Sequence, residues 1–455
     1  MKRNKALSVS LTTLLGASVL LSACGSGSDD KANNAANNAA ANNTAANNST
    51  EPTETSKEKV TIDFWTFWGS ETRRPIIEKI IDDFNKSQDR ITVKHTYYPF
   101  GDIWTKELAA VAAGNPPDVI VNDINATAQR ADKNQNTNLS KYLEKEDIKD
   151  RFFPQLWDTV IYKDEAYALP FTTDTRMMFY NKDHFKEAGL DPENFPNTWA
   201  ELEEAAKKLD KKDGDKYTRI GYSPQYAGFD WGSIAMNFDK GTNWFGQDGK
   251  PVINDKAHLD AMNYVLANAE RIGQKNLDNF KASFGSKQAN PFIAGQVSIW
   301  PDATTFYTQL RDYGQNVNFG IAPIPEIENG SGHYSVGGGF VVEIPKGAKH
   351  PDEAWEFMKY LTDKSAQTYW AEKNFDSVAN KEAANDPELL KNPVYKAAVD
   401  NMAVTKIFPT PVNAPDFLNL INPNRDAAIL GKASPQEALD KAQQDVENLL
   451  KQNTK

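Results

Sequence analysis

From Val60 onward the chain switches repeatedly between two apolar periods, and that switching limits the fold more than any other feature. Val60-Thr61-Ile62-Asp63-Phe64-Trp65 alternates with period two and predicts a strand. Ile76, Ile77, Ile80, Ile81 and Phe84 then recur at helical spacing. Ile91 to His95 predicts a second strand, Trp104 to Val111 a second helix ending at Gly114-Asn115-Pro116-Pro117, and Val119-Ile120-Val121 a buried third strand. Strand, helix, strand, helix, strand implies a parallel α/β sheet with right-handed crossovers. Ligands in such sheets bind beyond the carboxyl ends of strands, which marks the loops Thr66 to Glu71 and Asn122 to Asn125.

The segment ahead of Val60 is of another kind. Lys2, Arg3 and Lys5 precede an apolar run from Ala6 to Leu21, and Ser22-Ala23 supplies the small residues before the single cysteine, Cys24. That pattern is an export signal over residues 1–23. The run Leu21-Ser22-Ala23-Cys24 resembles a bacterial lipobox, which implies that Cys24 receives a lipid and becomes the mature N-terminus. Residues 24–56 are Asn, Ala, Ser and Thr with almost nothing apolar beyond alanine, so they bury too little surface to offset the entropy of ordering and are expected to form a disordered leash. The remaining body of about 400 residues is long enough for two domains or one bilobed unit. Loss of the leader removes three cations and no acid, moving the formal charge from -11 to -14. An acidic body argues against nucleic acid, whose binding depends on phosphate neutralisation.

A second informative block runs from Tyr167 to Leu209. It contains Tyr167-Ala168-Leu169-Pro170-Phe171, then Tyr180-Asn181-Lys182-Asp183, Ala188-Gly189-Leu190 and Thr198-Trp199-Ala200-Glu201-Leu202. Thr198 and Glu201 make a capping box for a helix with an apolar stripe at Leu202, Ala205 and Leu209. Later come Phe292 to Trp300, Gly337-Gly338-Gly339-Phe340, Pro351-Asp352-Glu353-Ala354-Trp355 and Ala433 to Leu439. In this order the segments resemble the extracellular solute-binding proteins of family 1, the maltodextrin-binding type that delivers sugars to ABC importers.

The resemblance implies two α/β lobes joined by a hinge that the chain crosses more than once, as in class II periplasmic binding proteins. Lobe one is expected to hold residues 57–171 and 335–374, lobe two residues 172–334 and 375–455, with Thr172 to Thr175 as the first crossing. It further implies a lipid-anchored monomer on the outer face of the cell membrane, with a sugar ligand, permease subunits as partners and no cofactor.

Sugars are recognised by stacking on aromatic rings and by hydrogen bonds to carboxylates and amides. Trp68, in the loop beyond the first strand, is the expected platform, whereas Trp65 suits core and cleft wall equally. The resemblance adds Phe229, Trp231 and Trp300 as aromatic cleft residues, and Asp174 at the crossing as an acidic ligand. Asn122 and Asp123 follow the third strand. Asp302 and Glu71 are secondary candidates, and Gly338 lies in a glycine run that fits either close approach to ligand or a plain turn. Trp199, Trp355 and Trp370 fall at apolar helical spacing and belong to the core. Arg74, Arg176 and Arg425 would serve an anionic ligand. With Asn122, Asp123 and Asp174 leading the polar set, a neutral oligosaccharide is expected.

His95, His184, His258, His333 and His350 have no metal-ligand spacing. Asp213-Gly214-Asp215 and Asp248-Gly249 fit hairpin turns rather than calcium loops. The rival classes are a glycan-processing enzyme, for which Asp123 and Asp174 could supply the carboxylate pair, and a surface glycan adhesin.

Overall fold

The computed structural model describes residues 58–453 apart from positions 227, 243, 247 and 409. The leader, Cys24 and the leash lie outside the described residues. In chain order the strands that build the body are β1 (Val60–Thr66), β2 (Ile91–Tyr97), β3 (Val119–Asp123), β4 (Leu169–Thr173), β5 (Arg176–Asn181), β6 (Ile299–Ala303), β7 (Phe319–Ala322), β8 (Ser335–Val336), β9 (Gly339–Glu343), β10 (Ser377–Val378) and β11 (Thr405–Lys406).

Six of them form one sheet in the order β10-β4-β9-β3-β1-β2. β1 runs parallel to both β2 and β3, joined by helices α1 (Arg74–Ser87) and α2 (Asp102–Ala112), as the sequence pattern requires. α1 turns Ile76, Ile77, Ile80, Ile81 and Phe84 inward. β9 returns antiparallel between β3 and β4, pairing Phe340 with Asp123 on one side and Thr172 on the other. A second, antiparallel sheet, β6-β5-β7, belongs to the other lobe. Around it a separate core gathers Phe185, Trp199, Tyr222, Trp231 and the C-terminal helix through Val446. The Thr198 capping box is present and its helix buries Leu202, Ala205 and Leu209. Trp199, Trp355 and Trp370 are all core residues. Lys211–Asp213 pairs with Lys216–Arg219 as a hairpin across Gly214-Asp215.

The lobes are joined by three chain crossings, and their positions refine the expected boundaries. Thr172 and Thr173 still pair within the first sheet, so the first crossing is only Asp174-Thr175. The second, Gly337-Gly338, links β8 to β9. The first-lobe sheet also keeps Ser377 and Val378, beyond the expected limit at residue 374, before the chain returns through β11 to the helices of the second lobe. β8 and β11 pair in parallel. The Thr175 hydroxyl lies 2.6 Å from that of Thr405 and accepts from Asn401 at 2.7 Å. Glycine is required where the strands touch: a Cβ on Gly337 would stand 2.6 Å from the Asp174 carbonyl oxygen. At Gly339, with φ of +149°, it would stand 2.1 Å from that of Thr172.

Under the first sheet, Arg130 is buried between two glutamates. Its Nε donates to Glu343 at 2.8 Å and another guanidinium nitrogen donates to Glu107 on α2. Asn122 donates to both glutamates, at 3.1 Å to Glu343 and 3.3 Å to Glu107. Burial pushes the Glu107 carboxyl up from an ordinary 4.5 to about 7; Arg130 opposes this and the Glu343 charge adds to it. Between those two values the native state holds a proton that the unfolded chain has released, so this group's contribution to stability falls as pH rises from about 4.5 to about 7. Urea unfolding across that range should therefore show a shallower fall for Glu107→Gln than for the parent. Parallel pH profiles would contradict this account of the cluster.

Candidate functional site

The carboxyl ends of β1, β2 and β3 and the start of β9 share one edge of the first sheet, and three crossings run past that edge. In β1 the even positions Ile62, Phe64 and Thr66 are sealed in the core, and the alternation carries on past the strand to Trp68. Trp68 is 1% exposed, with its ring 4.4 Å from Trp370 and 5.2 Å from Phe171. It has no free face to offer a sugar, so its expected role as platform is corrected to core. Trp65, on the opposite parity, packs with Ile103 and Ile120.

The aromatic surface at this edge comes from residues that the sequence reading passed over. Phe67, one position before Trp68, meets Phe340 at 4.6 Å, Phe100 at 5.1 Å and Trp104 at 6.2 Å. Phe100 is 64% exposed and Trp104 and Phe340 are half-buried. Such a group of open rings at strand ends is the stacking surface that pyranose faces require. Unbroken alternation through Phe67 and Trp68 would have put Trp68 in the core and Phe67 on the open face; a premature switch to loop misplaced Trp68 and left Phe67 unassigned.

Three other aromatic assignments also change. Phe229 is fully buried, and Trp231 donates Nε1–H to the His258 carbonyl at 3.0 Å beneath Trp244. Trp300 is 7% exposed between Phe284 and Phe306. Its Nε1–H donates to Asp302 at 2.9 Å, so Trp300 orients a carboxylate and does not stack.

Among the polar candidates, Asn122 is 2% exposed and belongs to the Arg130 cluster, because strand alternation turns it away from Asp123. Asp123, Asp174 and Asp302 do gather near the crossings. Asp123 accepts from the Asn125 N–H at 2.8 Å, and burial lifts its carboxyl above the ordinary range against that bond, helped by the Asp174 charge. Asp174 accepts from the Gly338 N–H at 2.9 Å and pairs with Arg176. Burial likewise raises Asp302, while Trp300 Nε1–H, Ala303 N–H and Arg176 pull it down. At Gly338 a Cβ would stand in ordinary van der Waals contact with the Asp174 carboxylate oxygens, at 3.7 and 3.8 Å. Glu71 is exposed in the loop before α1. Arg74 pairs with Glu78 beside the Tyr97 ring, and Arg425 pairs with Asp426, so the three arginines serve separate acids.

Across from this edge lies a cavity of about 370 Å³ lined by Asn125, Gly337, Trp244, Phe245, Phe408 and Phe417, together with Val336, Thr410, Pro411 and Leu418. It adjoins the aspartates, since Asp123 caps the turn at Asn125 and Gly337 precedes Gly338. Among the described residues no group of three or more His, Cys, Asp or Glu could hold a metal. No described helix is long and apolar enough to cross a membrane.

Comparison with known proteins places this site in context. The profile of the family described as bacterial extracellular solute-binding protein matches residues 68–368. The galactooligosaccharide-binding protein of Bacillus subtilis is 25% identical over 63% of this chain and 66% of its own length. Among solved structures, CpMnBP1 with mannobiose bound is 27% identical, covers 86% of this chain and all of its own, and superposes with a TM-score of 0.74. The sugar-binding protein MalE of Xanthomonas citri shares the fold at 21% identity and a TM-score of 0.72, over 87% of this chain and 98% of its own.

Proposed function

The chain belongs to the bacterial extracellular solute-binding protein family, and from that premise we propose that it captures a carbohydrate between its two lobes and delivers it to an ABC importer. It is a binding protein and not an enzyme. The observation that carries the reading is the open ring group Phe67, Phe100, Trp104 and Phe340 lying beside Asp123, with the Trp244 and Phe417 cavity facing it. Rings stack on C–H faces and carboxylates accept from hydroxyls, so both devices for sugar recognition meet at one place. The names of the relatives, which include a galactooligosaccharide binder and a mannobiose complex, point the same way.

The ligand is a neutral oligosaccharide. Arg176, the cation whose charge acts on Asp302 and which pairs with Asp174, is also bonded to the Val336 carbonyl, so it is already committed and not free to take a uronate or phosphate. Titration calorimetry with mannotriose, maltotriose and a uronic-acid trimer should give binding to a neutral trimer alone. Trp104→Ala should weaken that binding about tenfold or more, as loss of a stacked ring of roughly 1–2 kcal/mol requires. Trp68→Ala should instead lower folding stability by about 3–5 kcal/mol. Tight binding of the uronic-acid trimer alone, or wild-type affinity in Trp104→Ala, would reject this site.

Anchoring at Cys24 places the carrier, as a monomer, beside its permease at the outer face of the membrane. A diacyl anchor buries about 0.8 kcal/mol per methylene, enough for stable attachment with two chains. Cys24→Ala should shed the protein into the medium or leave its leader uncleaved; firm attachment and normal processing of that variant would refute the anchor.

A further inference from the structure

The four rings of the site reach it on two separate pieces of structure. Phe67 follows β1 and Phe340 lies in β9, whereas Phe100 and Trp104 arrive with α2. Trp104 stands 5.0 Å from Phe100 and 6.2 Å from Phe67. How α2 is seated on the sheet therefore decides how the two pairs of rings face one another, and its seating is light. The helix buries only two side chains, Ile103 and Glu107, and no side chain caps its N-terminus. Ile103 packs against Trp65 and Ile120. Glu107 is fully buried and ties α2 to Arg130 on α3 (Thr127–Asp132) and to Asn122 on β3, both of which also bond Glu343 on β9. Half of what anchors the helix is thus a carboxylate. The other charged residues of α2, Asp102 and Lys106, are exposed.

Arg130 is shared by two buried carboxylates, and Glu343 keeps one oxygen, Oε1, without a hydrogen-bond partner. With both acids ionised the cluster holds one negative charge in excess. A proton on Glu107 removes that charge and weakens the charge-assisted bond that grips α2. A buried ion pair adds little net stability over apolar packing, so fixing one geometry is the more direct use of this one. We infer that Glu107 and Arg130 are positioning residues for the sugar site: their pairing seats α2 so that Trp104 and Phe100 face Phe67 and Phe340, and sugar binding favours the form in which Glu107 is ionised. The inference rests on the carbohydrate-binding reading and adds a dependence on pH to it. Both forms are present near pH 7, because burial raises the Glu107 carboxyl to about 7. A ligand that needs the ionised form binds more tightly as pH rises through that value, and it expels the proton that the other form held.

The test is calorimetry with mannotriose and maltotriose on either side of pH 7, repeated in buffers of different ionisation enthalpy so that proton exchange is counted. For whichever sugar binds, affinity of the parent protein should rise about fivefold or more from the acid to the alkaline side, the low end of coupling between two sites. Near pH 7 binding should release protons. Burying Asp123 or Asp302 beneath a sugar would raise those carboxyls and take protons up, so the sign of the exchange separates Glu107 from the acids of the site. Glu107→Gln, which cannot ionise, should bind with the parent's low-pH affinity throughout and show neither the rise nor the release. Proton uptake or no exchange in the parent, or a parental profile kept by Glu107→Gln, would overturn the assignment. Because the sign of the exchange is read on the parent, the test stands even where Glu107→Gln fails to fold. Failure of both sugars to bind at any pH would remove the carbohydrate reading and this inference with it, a result distinct from binding that ignores pH.

Discussion

Everything that the two lobes do together depends on the contact among the three crossings at the Thr175 hydroxyl. That oxygen lies 2.6 Å from the Thr405 hydroxyl, donates to Ser335 at 3.2 Å and accepts from Asn401 at 2.7 Å, in a place closed to water. A buried polar node is stable only when its members satisfy one another, so it holds the three strands in a single arrangement. Gly337 and Gly339 let the backbones approach closely enough for that node to form. Because two of the crossings are only two residues long, any swing of one lobe against the other must be absorbed in a handful of backbone angles beside the node.

The same node sets the electrostatics of the site. Asp174 sits in the first crossing and takes its hydrogen bond from Gly338 in the second, so its carboxylate is fixed by the hinge itself. Asp123 and Asp302 come to it from the first and second sheets, and burial raises both carboxyls, which suits groups that must exchange water for sugar hydroxyls. Arg176 balances one of the three charges and is held by the Val336 carbonyl at the end of β8, just before the second crossing. A ligand hydroxyl reaching Asp174 thus touches both lobes through one residue, and stabilisation of the closed form needs no more than such a differential contact.

Much of this was legible in the sequence because it follows from period and order. The parallel β1-β3 unit, the Thr198 helix and the core tryptophans at 199, 355 and 370 all follow from apolar spacing. The bilobed fold, which the structural relatives share, followed from the order of short segments. The site was less legible, because exposure of a ring depends on partners far away in sequence. Trp68 is buried by Trp370 and Phe171, and Trp231 by Trp244 and the helix carrying His258. Conversely, Phe340 joins Phe67, Phe100 and Trp104 only when β9 inserts between β3 and β4. Asp174 and the crossing that carries it came from the resemblance, whereas Asp123 was marked by its place at a strand end, which is local information. Asn122, one residue away, was misassigned because a single step along a strand reverses the face.

The central claim is that ligand draws the lobes together about the Thr175 node. Small-angle X-ray scattering on the purified chain, alone and with saturating amounts of whichever of mannotriose and maltotriose binds, tests it most directly. The account predicts a smaller radius of gyration with ligand, and loss of that contraction when Gly337→Ala wedges the crossings apart. An unchanged radius at saturation in the parent protein would contradict it.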